Sequence, residues 1–453
     1  MTPQINRSLA IAALFAAMLP AQDLSQDQVN RILQRLDALE QQNRELLSEI
    51  RSLREELARG EPAKGDGQPA EAGEAPIEER VAVAEQQIRD LAQSRVESEH
   101  RDPMQLTGML LFNGFHNGRF ASGAEDPTTA ALEAGQETSG GTIRQTVLGL
   151  KFASPEKIGG MEVSGSAYMD FFAGTGTSLN QLMRLRVASI NFAWNNTTFT
   201  VAQDKPIFAP REPDSLAQVG FSPLTGSGNL WLWQPQVRVE QRFHFGETAG
   251  LNAQAGIYQT SERGNVPAEY TAQADSSRPS LQGRFVLWKQ AGTDSRFEIA
   301  PGFAVSNSHV AGYSIPSRIL SLDWRLPLGR KFDLTGTVFR GENLGVVGGL
   351  QQGIVENAWG YLHAVRGAGG WAQLKYLATS RLTFNLYGGQ EDDFNRDLAA
   401  GGISKNQTYA ANAIYRLMSN VLASFEYSYL RSTYLGGGVR SNPHYDLAFA
   451  YLF

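Results

Sequence analysis

The sequence predicts an all-β transmembrane barrel of about 16 antiparallel strands, preceded by an N-terminal helical coiled coil. Three observations predict it. From about residue 105 to 453, apolar and aromatic residues recur at every second position. The connections between these runs are alternately short and long, which sorts one end of the strands from the other. Residues 29–57 instead follow an unbroken alternation of three- and four-residue apolar steps.

Composition removes the competing classes. Of 453 residues, 42% are hydrophobic and only 19% charged, which excludes a disordered or collagen-like chain. The absence of cysteine excludes disulfide staples, zinc ribbons and thiol nucleophiles. No full-length apolar run of the kind that spans a bilayer as a helix occurs. High glycine and 10% aromatics lean toward a barrel. Residues 1–100 hold 11 basic and 18 acidic side chains, against 29 and 28 in residues 101–453. The acidity belongs to the N-terminal arm, and a nucleic-acid partner has no electrostatic support.

Residues 1–21 have the form of a secretory signal: Arg7, an apolar stretch from Leu9 to Leu19, and a cleavage site after Ala21. Residues 22–59 form a coiled coil, whose a and d positions run Val29, Ile32, Leu36, Leu39, Asn43, Leu46, Ile50, Leu53 and Leu57. Asn43 at an a position fixes register at some cost in stability. Arg35, Leu36, Leu39 and Glu40 resemble the Arg-h-x-x-h-Glu motif of trimeric coiled coils, so the arm is expected to promote a homotrimer. Residues 60–76 are a Gly/Pro/Ala/Glu linker, and 77–100 a second short helix before the barrel region at 101–453.

Within that region the last segment is clearest. Tyr445, Leu447, Phe449, Tyr451 and Phe453 alternate with Asp446, Ala448, Ala450 and Leu452. In a soluble sandwich the apolar face would be the core; in a membrane barrel it faces lipid while the polar face lines water. Connection lengths choose the barrel. Short turns fall at 154–160, 195–197, 246–250, 292–295, 329–331, 379–381 and 418–420. Longer loops are expected at 118–143, 174–181, 206–229, 261–277, 307–317, 343–360, 391–404 and 435–441. Seven turns and eight loops join sixteen strands and leave both termini at the short-turn end.

A pore works through width and the charges that line it. Alternation sends Arg238, Glu240 and Arg242 to the lumen from one strand, Arg284 from another and Lys151 from a third. Guanidinium suits anion selection because its fork holds a carboxylate in two parallel hydrogen bonds. Arg184 and Arg186 share the parity of Phe192 and Trp194, and mid-membrane exposure to lipid would cost ~2–4 kcal/mol. A bulge near Ala188–Ser189 is expected to turn both inward; the alternative places them at the extracellular rim or a trimer contact. The third long loop, stiffened by Pro206, Pro210, Pro213 and Pro223, carries Arg211, Glu212 and Asp214 at its first bend.

Four strings follow one another in order: Arg144-Gln145 leading into Leu148-Gly149-Leu150, Asp170-Phe171-Phe172 with Gly174, Arg184-Leu185-Arg186, and Trp233-Gln234-Pro235-Gln236-Val237-Arg238. Together they resemble the DcaP-like porins, a family of trimeric outer-membrane channels for dicarboxylates and other small anions. The similarity covers roughly residues 141–245 locally and the remainder in architecture. It implies a third loop folded into the lumen as a constriction. Val147 and the string Ala202-Gln203-Asp204-Lys205 depart from the family pattern, the first removing a lumenal cation. The terminal Phe449, Tyr451 and Phe453 resemble the signal read by the bacterial barrel-assembly machinery.

The expected function is passive diffusion of small hydrophilic solutes across the bacterial outer membrane, with preference for small anions such as dicarboxylates. The arm would lie in the periplasm, and the partners would be outer-membrane lipid, two further copies, the solutes and the assembly machinery. A phosphate-selective or unselective porin, or a structural anchor barrel, are the alternatives. No enzyme, metal or cofactor is expected: His100, His116, His244, His309, His363 and His444 lack metal spacing, and no nucleophile or phosphate-loop motif occurs.

Overall fold

The computed structural model describes residues 104–174, 181–262, 266–274, 279–292, 295–357 and 359–453. The signal segment, the coiled coil with Arg35, Leu36, Leu39, Glu40 and Asn43, the linker and the short helix lie outside the described residues.

The chain enters as β1 (Met104–Asn117), which pairs with both β2 (Thr138–Thr142) and β3 (Val147–Ala153). These two are one stave, interrupted where Ile143–Thr146 bends inward and buries Arg144 and Gln145. Next come β4 (Glu162–Ala173), β5 (Leu182–Trp194), β6 (Thr197–Asp204), β7 (Gln234–His244) and β8 (Ala249–Gln259). Then follow β9 (Pro279–Gln290), β10 (Arg296–Val310), β11 (Tyr313–Leu328) and β12 (Phe332–Glu342). A small hairpin of β13 (Ile354–Glu356) and β14 (Leu362–Ala364) decorates the next loop. β15 (Arg366–Leu377), β16 (Leu382–Asp393), β17 (Ile403–Met418), β18 (Val421–Tyr434) and β19 (Gly438–Leu452) complete the sheet. All neighbours are antiparallel, and β19 returns to β1 from Met109↔Leu452 to Asn117↔His444. With β2 and β3 sharing a stave, the 17 sheet strands make a closed barrel of sixteen. Closure leaves no unpaired edge, the condition for placing a sheet in lipid.

Side chains follow the pleat. On β19, Tyr445, Leu447, Phe449 and Tyr451 are exposed on the outer face, while Asp446, Ala448 and Ala450 are buried inside. The same split puts Leu320 and Leu322 outside on β11 and Ile319, Ser321 and Asp323 inside. An outer wall this continuously apolar exceeds what a water-facing surface carries and is the surface a bilayer covers. Among the described residues, no helix is long and apolar enough to cross a membrane. Phe453 continues β19, exchanging backbone hydrogen bonds with Gly108 at 2.9 and 3.2 Å.

Two expected long loops are tight hairpins instead. β10 and β11 are joined by Ala311 and Gly312 alone, both left-handed (φ 50° and 83°), the geometry of the two-residue turn that matches strand twist. β18 and β19 are joined by residues 435–437, with Gly436 and Gly438 left-handed. Polar residues such as Asn307, Ser308 and Ser314 read as loop, yet they continue the ladder, Ser308 opposite Ile315 and His309 opposite Ser314. The first expected loop also contains β2.

The buried core sits inside the barrel, at its long-loop half. Phe208 and Leu230 from the third loop pack with Leu344, Val346 and Val347 from the loop after β12 against Tyr258, Ile319 and Phe339 of the wall.

Candidate functional site: the barrel interior

Residues 205–233 leave β6 and cross the interior, because their donors and acceptors find partners on strands all around the wall. The Ile207 N–H donates to Gln282 Oε1 on β9 at 2.7 Å, and Ser321 Oγ on β11 donates to the Phe208 carbonyl at 2.8 Å. Asp214 meets Gln373 and Lys375 of β15 at 2.6 and 2.8 Å. Ser215 donates to Glu426 on β18 at 2.6 Å, and Asn113 of β1 donates to the Leu216 carbonyl at 2.8 Å. Gln145 is a second clamp. Its Oε1 accepts from the Val219 and Gly220 N–H groups, both at 2.6 Å, and its Nε2 donates to the Ala217 carbonyl at 2.7 Å. A segment with four prolines and this many wall contacts is fixed across the lumen rather than tethered above it.

The charged side chains join into a ladder on one side of the interior. Arg242 Nε donates to Glu240 at 2.7 Å, and Gln254 donates to the other Glu240 oxygen at 2.7 Å. Gln254 Oε1 in turn accepts from Arg284 at 3.3 Å. Arg284 grips Asp323 with two parallel hydrogen bonds, each 2.7 Å. Arg211 reaches from the loop to Asp323 at 2.6 Å and also pairs with Glu298. Burial alone pulls the Arg211 pKa down, but hydrogen bonds and charge from Asp323 and Glu298 outweigh it and leave it raised. Asp323 is fully buried and serves two guanidinium groups, so it holds the loop to the wall.

Exposure divides the arginines by task. The Arg284 side chain is 7% exposed and its donors are engaged, whereas those of Arg238 and Arg242 are 25% and 46% exposed. Arg238 pairs with Asp204 through Nη1 at 2.9 Å, and Arg242 uses Nε, so both keep guanidinium donors toward the water.

Arg184 and Arg186 form a separate cluster. Both turn inward onto Asp170 of β4, at 2.8 and 3.0 Å, and both donate to the loop, to the Gly220 and Val219 carbonyls respectively. Their guanidinium carbons lie 5.3 and 4.6 Å from the Trp233 ring, within cation–π distance. The parity switch is a bulge, but its place is Arg186 itself: Tyr168 pairs with Val187 and Met169 with Leu185. Lys151 lies apart on β3, between Gln105 of β1 and Ser166 of β4. Glu212 binds Lys205 and Ser222 within the loop.

Opposite the ladder the interior is acidic. Glu426 accepts from Tyr387 and Ser215, both at 2.6 Å, and Asp446 accepts from Asn113 at 3.0 Å. Asp126, in the first long loop, is buried nearby; burial, then Asp446, Glu125 and Glu426, raise its pKa well above its ordinary value. Among the described residues, no group of three or more His, Cys, Asp or Glu side chains is placed to hold a metal ion. Asp323 falls on an inward face by alternation, whereas the pairing of Asp170 with Arg184, of Gln254 with Glu240 and Arg284, and of Gln145 with the third loop follows from strand register and loop folding that alternation does not give.

Sixteen antiparallel staves closed first to last, with the third long loop folded inside, decide the fold. It is that of the porins. No family model matches the chain, and no curated protein matches it in sequence. Among solved structures, the outer membrane channel DcaP of Acinetobacter baumannii is similar at a TM-score of 0.62 and 16% identity, covering 77% of this chain and 97% of that one. An anion-selective porin from Comamonas acidovorans is similar at 0.54 and 14%, covering 77% and 99%. The porin OmpF of Salmonella typhi, solved with daunomycin, is similar at 0.50 and 13%, covering 77% and 97%.

Proposed function

We propose that this chain is an outer-membrane porin that passes small hydrophilic solutes by diffusion and favours small anions, dicarboxylates among them. The observation that carries it is the half-exposed pair Arg238 and Arg242, on one face of β7 about 13 Å apart at ~3.3 Å per residue. Guanidinium groups with free donors raise the local anion concentration and capture carboxylate in two bonds. Arg284 and Arg211 act one step back: each is held by Asp323, and Arg211 sets the edge of the loop that narrows the lumen. The resemblance to an anion-selective porin supports the same reading. Lipid on the apolar wall, two further copies joined partly through the 29–57 heptads, and the assembly machinery at Phe449, Tyr451 and Phe453 complete the partners, with the arm in the periplasm. Reversal potentials in a salt gradient test the selectivity, with Arg238→Ala/Arg242→Ala as the decisive variant.

A closed anchor barrel is the second reading, favoured by the apolar packing of Phe208, Leu230 and Val346 inside the long-loop half. It gives no steady current in a planar bilayer, where the porin gives discrete open steps.

A further inference from the structure

Seven short turns face the periplasm on the reading above, and their charge is uneven. Turns 329–331 and 378–381 contribute Arg330, Lys331 and Arg381, with no acid. The other five turns together hold one lysine, Lys157, against Glu156, Glu247 and Asp294. The two cationic turns are neighbours: the Leu377 N–H donates to the Lys331 carbonyl at 2.8 Å, and Phe332 lies opposite Tyr376. All three cations are exposed, and among the described residues none has a carboxylate within 4.0 Å, unlike the ladder arginines inside.

Directly above these turns the outer wall changes character row by row. The first row is aromatic: Phe332, Tyr376 and Phe384 stack across β12, β15 and β16, with ring centroids 4.8 and 6.4 Å apart and planes within 19°. The next is Leu334, Leu374 and Leu386. The third is small: Gly336, Ala372 and Gly388, flanked by Trp324 on β11 and Tyr409 on β17. A Cβ on Gly336 would meet the Trp324 ring at 2.4 Å, so the indole lies flat over a floor only glycine permits. A groove of about 710 Å³ opens there, bounded above by Gln390 and Asp392. The small row stands about 13 Å along the strand from the aromatic row at ~3.3 Å per residue, within the depth of one leaflet.

We propose that this wall binds an anionic phospholipid of the periplasmic leaflet, a claim that rests on the membrane reading above. The phosphate sits on Arg330, Lys331 and Arg381, the glycerol backbone lies against the aromatic row, and one acyl chain runs over the leucines into the groove. Charge selects the headgroup: juxtamembrane cations each draw anionic lipid. The groove selects a chain over flat wall, because its floor and flanks surround the hydrocarbon on three sides.

The test uses full-length protein reconstituted with equal parts phosphatidylglycerol and phosphatidylethanolamine, extracted in mild detergent and examined by native mass spectrometry. Phosphatidylglycerol should remain bound at least tenfold over phosphatidylethanolamine. Arg330→Gln/Lys331→Gln/Arg381→Gln should cut retention on the order of tenfold or more. Ala372→Leu, which fills the groove, should lower retention in a barrel that still shows folded mobility on gels. Equal retention of both lipids, or undiminished retention in the triple variant, overturns the site. Full displacement by soluble glycerol 3-phosphate would instead make it a site for free anions. Dissociation of copies in Ala372→Leu with lipid unchanged would make the groove a subunit contact. Conductance of the same samples is read separately, so a failed lipid site and a failed porin reading give different results.

Discussion

Asp323 carries more of this site than any arginine does. It is fully buried, it accepts from Arg284 and Arg211, and truncating one partner of such a cluster leaves uncompensated charge at a cost of about 3–5 kcal/mol. Asp323→Ala should therefore lower the unfolding temperature in detergent and raise single-channel noise as Arg211 is released. Arg238→Ala removes a partly exposed pair worth about 0.2–1 kcal/mol, so its melting should be close to wild type while anion preference falls. If both variants melt alike, Asp323 is not the latch. Alternation in the sequence was enough to place Arg238, Arg242 and Arg284 on inward faces. It could not show that Arg211 and Arg284 share one carboxylate, 112 and 39 residues away. Asp126 supplies a pH test. Its folded pKa lies above the unfolded value, because burial and then Asp446, Glu125 and Glu426 oppose its charge, while Arg144 offsets part of this and His444 lies 3.8 Å away. Folding therefore takes up a proton there, and stability should rise as pH falls through the raised pKa toward the ordinary carboxylate range. Asp126→Asn, which keeps an acceptor for Gln145, should stabilise at pH 8 and be nearly neutral at pH 4; equal effects at both would refute it.

The third loop is the element on which the proposed selectivity and the stability meet. Its far end presses on the wall at Gly228, left-handed at φ 99°, where a Cβ would meet the Gly370 and Gln390 carbonyls at 2.3 and 2.5 Å. Gly228→Ala should push the loop off β15 and β16, a strain of about 1–3 kcal/mol, and change unit conductance without unfolding the barrel. Unchanged conductance with unchanged melting would show that the loop is not seated there. Strand existence was readable wherever one face meets lipid, as Tyr445 to Phe453 show. It failed at 307–317 and 435–441, where β10, β11 and β19 continue with polar residues such as Asn307, Ser308 and Ser441. There, nothing apolar marks the pleat, and a two-residue turn looks like part of a longer loop. The bulge at Arg186 was misplaced by two residues for a related reason. Parity reveals that a switch must occur, while its location depends on what Tyr168 and Met169 oppose.

At the scale of the whole molecule, sixteen staves give a scaffold whose outside is set by lipid and whose inside is set by paired charge. The trimer proposed from the 29–57 heptads needs more than that arm, since four heptads are short. Deleting residues 22–100 should leave trimers that dissociate at lower temperature in detergent; a full-length protein that runs only as a monomer under native conditions would contradict the assembly. The central claim is that Arg238 and Arg242 give a water-filled lumen a preference for anions despite Glu240 between them. Reversal potential across a planar bilayer in a salt gradient measures it directly. The wild type should show discrete channels whose reversal potential has the sign of anion permeation, and Arg238→Ala/Arg242→Ala should move it toward zero. Cation preference in the wild type, or a variant that keeps the wild-type potential, would contradict it.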